Sequence, residues 1–118
     1  MIEKSNSNKL VETIVNSIDD MKAENITILD LREIDNAVSE FFIICSGNST
    51  TQVSAIASNV EKKVRNEIKE RPLHTEGNQN AQWVLMDYGN VVVHVFLKGI
   101  REFYDLESMW GDAKLISA

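Results

Sequence analysis

Trp83-Val84-Leu85-Met86-Asp87-Tyr88-Gly89-Asn90-Val91-Val92-Val93-His94-Val95-Phe96 is the stretch that decides the fold of this chain. Two apolar, β-branched runs flank Asp87-Tyr88-Gly89-Asn90, whose Gly and Asn tolerate the positive φ angles of a tight hairpin turn. The segment is therefore predicted to be a pair of antiparallel strands. On strand alternation Trp83, Leu85 and Asp87 share one face, and Val84, Met86 and Tyr88 the other. Arg101-Glu102-Phe103-Tyr104-Asp105-Leu106-Glu107 follows at once and reads as a short acidic and aromatic helix. Within it Phe103 and Leu106 form an i, i+3 pair suited to a core, which turns Arg101, Tyr104 and Asp105 outward. No nucleophile–base pair or metal cluster lies in this stretch, so it reads as a rigid surface for another macromolecule.

Upstream, Phe41-Phe42-Ile43-Ile44-Cys45-Ser46 is a continuous apolar run, the pattern of a central strand covered on both faces. Gly47-Asn48 breaks it, and Ser49-Thr50-Thr51-Gln52 has the form of a capping box, with the Gln52 side chain reaching back to Ser49. The helix that follows places Val53, Ile56, Ala57, Val60, Val64 and Ile68 on one stripe, and Arg71-Pro72 is expected to end it. Leu73 to Gln82 is polar and reads as a connection. Nearer the start, Leu10, Val11, Ile14, Val15, Ile18 and Met21 draw one face of a helix from about Lys9 to Met21, with Ser7 or Asn8 as its cap. Ile26-Thr27-Ile28-Leu29-Asp30-Leu31 is a predicted strand.

A strand, a crossover helix and a further strand favour right-handed parallel connection. The Phe41 and Trp83 strands are accordingly expected to run parallel, with the Val91 strand antiparallel to the latter. The expected class is α/β: one domain over residues 1–118, a mixed β-sheet flanked by helices, with residues 1–8 a flexible N-terminus.

A chain of 118 residues fits one domain and buries roughly two-thirds of the surface that its unfolded form exposes. With 43% hydrophobic and 25% charged residues it is composed like a globular protein. Cys45 is the single cysteine, so there is no internal disulfide, and a reducing compartment fits. No apolar run approaches the ~18 residues of a membrane span, and the N-terminus lacks a signal-peptide core. The expected location is the cytoplasm. Eighteen acidic residues against 12 basic ones give a net charge of −6. Counterion release from DNA or RNA needs concentrated Lys and Arg, whereas the densest basic stretch, Lys62 to Arg71, is interspersed with the acids Glu61, Glu67 and Glu70. Dedicated DNA binding is not expected. A basic partner is what an acidic surface attracts.

Chemical alternatives fare poorly on spacing. Ser46-Gly47-Asn48-Ser49-Thr50 joins a strand to a helix, where free N–H groups attract anions, but it lacks the lysine and spacing of a phosphate-binding loop. A turn plus a helix cap accounts for each of its residues. Two-metal nucleotidyl transfer requires converging carboxylates. Asp30 and Asp35 precede the loop without the necessary spacing, and the Trp83 strand offers Asp87 alone. His74 and His94 are far apart in sequence, and with one thiol no zinc set exists. His94, between Val93 and Val95, reads as a hydrogen-bonded structural residue. Cys45 reads as buried and inert. The aromatics Trp83, Tyr88 and Tyr104 stand beside Asp87, Glu102 and Asp105, a grouping typical of interface anchors as well as of cores.

On these residues the chain resembles the ribosomal silencing factor family, also called the Iojap family. The marks are Asp35 with Phe41 to Thr50, Glu76-Gly77, Trp83 to Phe96, Arg101 to Glu107 and Trp110-Gly111-Asp112-Ala113. The resemblance runs from about Ile28 through Ala113. Asn90 stands where an Asp is usual, and Lys98-Gly99-Ile100 is less acidic than the common pattern. The resemblance implies a nucleotidyltransferase-like fold without catalytic carboxylates, hence no enzyme and no cofactor. It also implies binding to the large ribosomal subunit through ribosomal protein L-fourteen, which would block joining with the small subunit and lower translation in starvation. Some relatives act in large-subunit assembly, and a nucleotidyltransferase-like enzyme is the other alternative. The expected contact residues are Trp83, Met86, Asp87, Tyr88, Glu102, Tyr104 and Asp105, with the apolar members as anchors and the acids facing basic groups. Self-association into a homodimer when free would compete with such a partner.

Overall fold

The computed structural model describes residues 2–35, 39–104 and 114–117, with side chains from Asn8 to Asp35 and from Ser39 to Glu102. Its elements are α1 (Ile2–Asp20), β1 (Glu24–Asp30), β2 (Phe41–Gly47), α2 (Thr50–Glu67), β3 (His74–Glu76), β4 (Trp83–Asp87), β5 (Val91–Leu97), α3 (Ile100–Tyr104) and β6 (Lys114–Ser117). Six strands form one sheet in the order β3-β4-β5-β2-β1-β6. β2 pairs with β5 in parallel, and the other four pairings are antiparallel. The mixed sheet with flanking helices is the class expected from the sequence.

Every residue of β2 is buried, as are Val91 to Phe96 of β5. Their unbroken apolar runs are the mark of strands covered on both sides. On one side lie α1 and α2. Leu10, Ile14 and Ile18 of α1 and Val53, Ile56, Val60 and Val64 of α2 pack on Ile43, Cys45, Val84, Met86, Val93 and Val95. The Asn59 amide donates to the Ser17 carbonyl at 2.8 Å and ties the two helices together. On the other side Leu29, Leu31, Phe42, Ile44, Val92 and Phe96 form a second cluster, with Ile34, Trp83, Leu85 and Ile100 partly buried against it.

Several boundaries differ from those read in the sequence. α1 begins at Ile2 rather than near Lys9, so neither Ser7 nor Asn8 is its cap. The Ser49 side chain caps α2 by accepting from the Gln52 N–H, as expected. The Gln52 carbonyl oxygen, however, accepts from the Asn48 N–H at 2.6 Å instead of reaching Ser49, while its amide nitrogen bridges to the Met21 and Lys22 carbonyls. α2 stops at Glu67, before Arg71-Pro72, because Lys69 takes a left-handed φ of 66° and donates to the Val64 and Arg65 carbonyls. β6 adds a strand where the sequence reading ended on a helix.

One correction concerns strand direction. The Trp83 strand runs antiparallel to the Phe41 strand, and it is the Val91 strand that pairs with Phe41–Gly47 in parallel. The cause is β3, three residues inside the stretch read as a connection. Because β3 is antiparallel to β4 and β4 to β5, β3 points the same way as β2. The crossover rule is thus obeyed, but α2 delivers the chain to β3, and the Trp83 strand is the return.

The hairpin turn is tighter than its tetrapeptide suggested. Tyr88 N–H donates to the Val91 carbonyl, leaving Gly89-Asn90 as the two central residues. Gly89 alone of the two has positive φ, 91°, the pattern of a type II′ turn. The Asp87 carboxylate accepts from the Gly89 N–H at 2.7 Å and braces it.

Two tests of this core follow. Ile43, fully buried at the sheet centre, is expected to cost roughly 2–5 kcal/mol on substitution by Ala, measured by urea unfolding. His94 is buried at 3% exposure, and burial holds its pKa down at about 4, against the ordinary 6.5. Between those values the unfolded chain takes up a proton that the folded one refuses, so stability is full above about 6.5 and is lost as pH falls towards 4. The whole difference is on the order of 3 kcal/mol. It is expected in the urea midpoint of the wild type, beyond whatever decline His94→Phe shows; equal declines in the two would contradict it.

Candidate functional site

β4 alternates half-buried and buried along its length. Val84 and Met86 point into the helical side, while Trp83 and Leu85 join the opposite cluster. Register extends that second face outward: His74 lies opposite Asp87 and Glu76 opposite Leu85. Directly opposed residues share a sheet face. Trp83, Leu85, Asp87, His74 and Glu76 therefore form one continuous patch at the β3–β4 margin, away from α1 and α2. Towards the other margin the same face is covered by Leu31, Ile34 and Ile100.

Trp83 is the fixed point of the patch. Its indole stacks on Phe96, centroids 4.9 Å apart at 26°, and its Nε1–H donates to His94 Nδ1 at 3.1 Å. Phe42 meets the His94 ring edge-on at 4.8 Å. Leu85 extends the apolar surface, and Asp87, half-buried, adds a carboxylate beside it. Glu76 and His74 are exposed and in contact, Nε2 to Oε2 2.5 Å. The patch thus pairs a rigid aromatic with acids on its rim.

The other expected contact residues divide. Met86 and Tyr88, expected as surface anchors, are instead buried under the helices at 2% and 5% exposure. Strand alternation sets them on the face opposite Trp83. Burial raises the Tyr88 phenol pKa, with Glu61 and Glu70 adding to the effect. Glu102 is exposed on α3, the helix whose first residue, Ile100, packs into the Trp83 cluster. The Tyr104 side chain and the whole of Asp105 lie outside the described residues. Arg101, expected outward, instead turns back on β1, donating to the Asn25 carbonyl at 2.5 Å and to Thr27 Oγ1 at 2.9 Å. The register shift between Glu24 and Thr27, with Asn25 at φ 53°, turns that carbonyl out of the ladder. Leu85, Glu76 and His74 were not among the expected contacts. Leu85 was legible from the alternation that selected Trp83 and Asp87. The other two depend on β3, whose three polar-flanked residues carry no strand signal.

Sites for small-molecule chemistry look different from this patch. Burial pushes the Cys45 thiol up to about 12, the opposite of an activated nucleophile. The Asp30 carboxylate is engaged by the Arg32 guanidinium through two bonds, 2.9 and 2.7 Å. Among the described residues no three His, Cys, Asp or Glu side chains group as metal ligands. A cleft of about 150 Å³ between α2 and β3 is lined by Ser54, Ser58, Thr75 and Asn78 over Val84 and Met86, with Glu61 as its one carboxylate. No described helix is long and apolar enough to cross a membrane.

The family described as "Ribosomal silencing factor during starvation" matches residues 4–118. A ribosomal silencing factor of Halalkalibacterium halodurans is 45% identical over 108 residues, 92% of this chain and 91% of that protein. A crystal structure from Bacillus halodurans superposes with a TM-score of 0.80 at 41% identity, covering 94% of this chain and 99% of that one. Another, from Chromobacterium violaceum, gives 0.82 at 33% identity over 88% and 85% of the two chains. With the family matched along almost its entire length and the sheet shared with solved relatives, this chain belongs to the ribosomal silencing factor family.

Proposed function

We propose that this protein represses translation in the cytoplasm by binding the large ribosomal subunit through ribosomal protein L-fourteen, where it sterically prevents the small subunit from joining. The role is regulatory rather than catalytic, and its setting is starvation. The observation that carries the reading is the β3–β4 patch, in which a half-buried Trp83, held by His94 and Phe96, shares a sheet face with Asp87 and Glu76 on a chain that belongs to this family.

Trp83 and Leu85 supply the apolar contact, and Asp87, Glu76 and Glu102 face basic groups of the partner, with Tyr104 and Asp105 as further contacts. Met86 and Tyr88 support the patch from beneath. A rigid aromatic loses little side-chain entropy on docking, and a desolvated anchor of this type contributes about 2 kcal/mol or more. Rim carboxylates act mainly on encounter rate, and the net charge of −6 directs the approach towards basic protein rather than rRNA phosphates.

The deciding measurement is co-sedimentation with separated large and small subunits, followed by a subunit-joining test. The wild type is expected to travel with large subunits and to hold them apart from small ones. Trp83→Ala is expected to weaken that association about 30-fold, the equivalent of ~2 kcal/mol. Asp87→Asn is expected to slow association and flatten its dependence on salt. Failure of the wild type to travel with large subunits, or free joining in its presence, removes the proposal.

A further inference from the structure

His94 sits in the middle of β5 between Val93 and Val95, on a face otherwise built from Phe42, Ile44, Val92 and Phe96. Its Nδ1 accepts the Trp83 indole proton. A neutral imidazole that accepts on Nδ1 carries its own proton on Nε2. That Nε2 is buried and finds no hydrogen-bond partner among the described residues. The histidine therefore brings a stranded donor into an apolar cluster, an arrangement that packing alone does not favour. An apolar ring would fill the slot without it. What such a ring cannot do is accept the indole N–H.

Stacking on Phe96 fixes the plane of Trp83 but not which edge of the indole points inward, because either flip presents a face to the phenyl ring. The second side-chain torsion of tryptophan is broad and only weakly self-determined. The bond to His94 selects one flip and uses the only polar group of the indole inside the molecule.

We propose that His94 is a positioning residue for the docking surface: it locks Trp83 in a single orientation and consumes its N–H, so that a partner meets this residue as hydrocarbon only. The complementary group on the partner is then an aliphatic stem or a cation over the ring, not a hydrogen-bond acceptor. This rests on the reading of Trp83 as part of the docking surface, and the experiment separates the two.

The wild-type protein, labelled with nitrogen-15, is the first arm. The expected spectrum shows His94 as the Nε2–H tautomer, with a scalar coupling across the Nε1–H···Nδ1 bond and a Trp83 indole proton that exchanges slowly. An Nδ1–H tautomer, or an indole proton exchanging as fast as that of an exposed tryptophan, overturns the proposal. The second arm compares two variants in the co-sedimentation assay. His94→Phe keeps a ring and removes the acceptor, whereas His94→Asn places an amide oxygen close to where Nδ1 was. Binding to large subunits is expected to fall about tenfold in His94→Phe, the size of one net hydrogen bond, and to recover to within about threefold in His94→Asn. Full binding by His94→Phe alongside lost binding by Trp83→Ala overturns the positioning role and leaves the docking surface standing. Full binding by Trp83→Ala overturns the docking surface instead. Should His94→Phe not fold, the wild-type spectrum decides.

Discussion

The parallel ladder between Phe41–Gly47 and Val91–Leu97 is the constraint on which the rest of the molecule depends. Both strands are apolar on both faces, so each must be covered twice, and the sheet acquires two cores instead of one. Two long helices fill one side. The other carries Leu31, Ile34 and Ile100 towards β1, and towards β3 the half-buried Trp83 and Leu85 of β4. The patch around Trp83 lies at that margin. Register then decides its content: Trp83 lies opposite Phe96, Leu85 opposite His94, and Asp87 opposite Val92. Aromatic, apolar and acidic groups fall on one surface because β4 starts where it does.

Much of this was legible in the chain. The continuous apolar run from Phe41 identified one central strand, the Ser49 cap located the start of α2, and period-two alternation assigned each residue of β4 to its face. Alternation was in fact the better guide to the candidate site. Met86 and Tyr88 are of the types that make anchors, but their parity placed them against α1 and α2, and parity prevailed. The same parity put Leu85 beside Trp83 without any appeal to residue type.

What the sequence concealed has a physical explanation in each case. β3 is three residues long, and His74-Thr75-Glu76 lacks the apolar member that would make an alternation visible; it forms because β4 offers an unpaired edge. Missing it inverted the direction assigned to the Trp83 strand, although the handedness rule behind that assignment held. Arg101 was read as a solvent-facing helical residue from its spacing alone. Its actual partners are the Asn25 carbonyl and Thr27, far away in sequence, and they became available through an irregularity in β1 that no local pattern announces. The early start of α1 is similar, since its first turns carry no apolar stripe to mark them.

The brevity of β3 also bears on colloidal behaviour. As a terminal strand it leaves a row of main-chain donors and acceptors open to any other extended chain. Three residues give little length for such templating, and the ionisable His74 and Glu76 project from that rim. A protein whose outermost strand is this short and this polar can keep an adhesive tryptophan nearby without inviting its own copies to stack into fibrils.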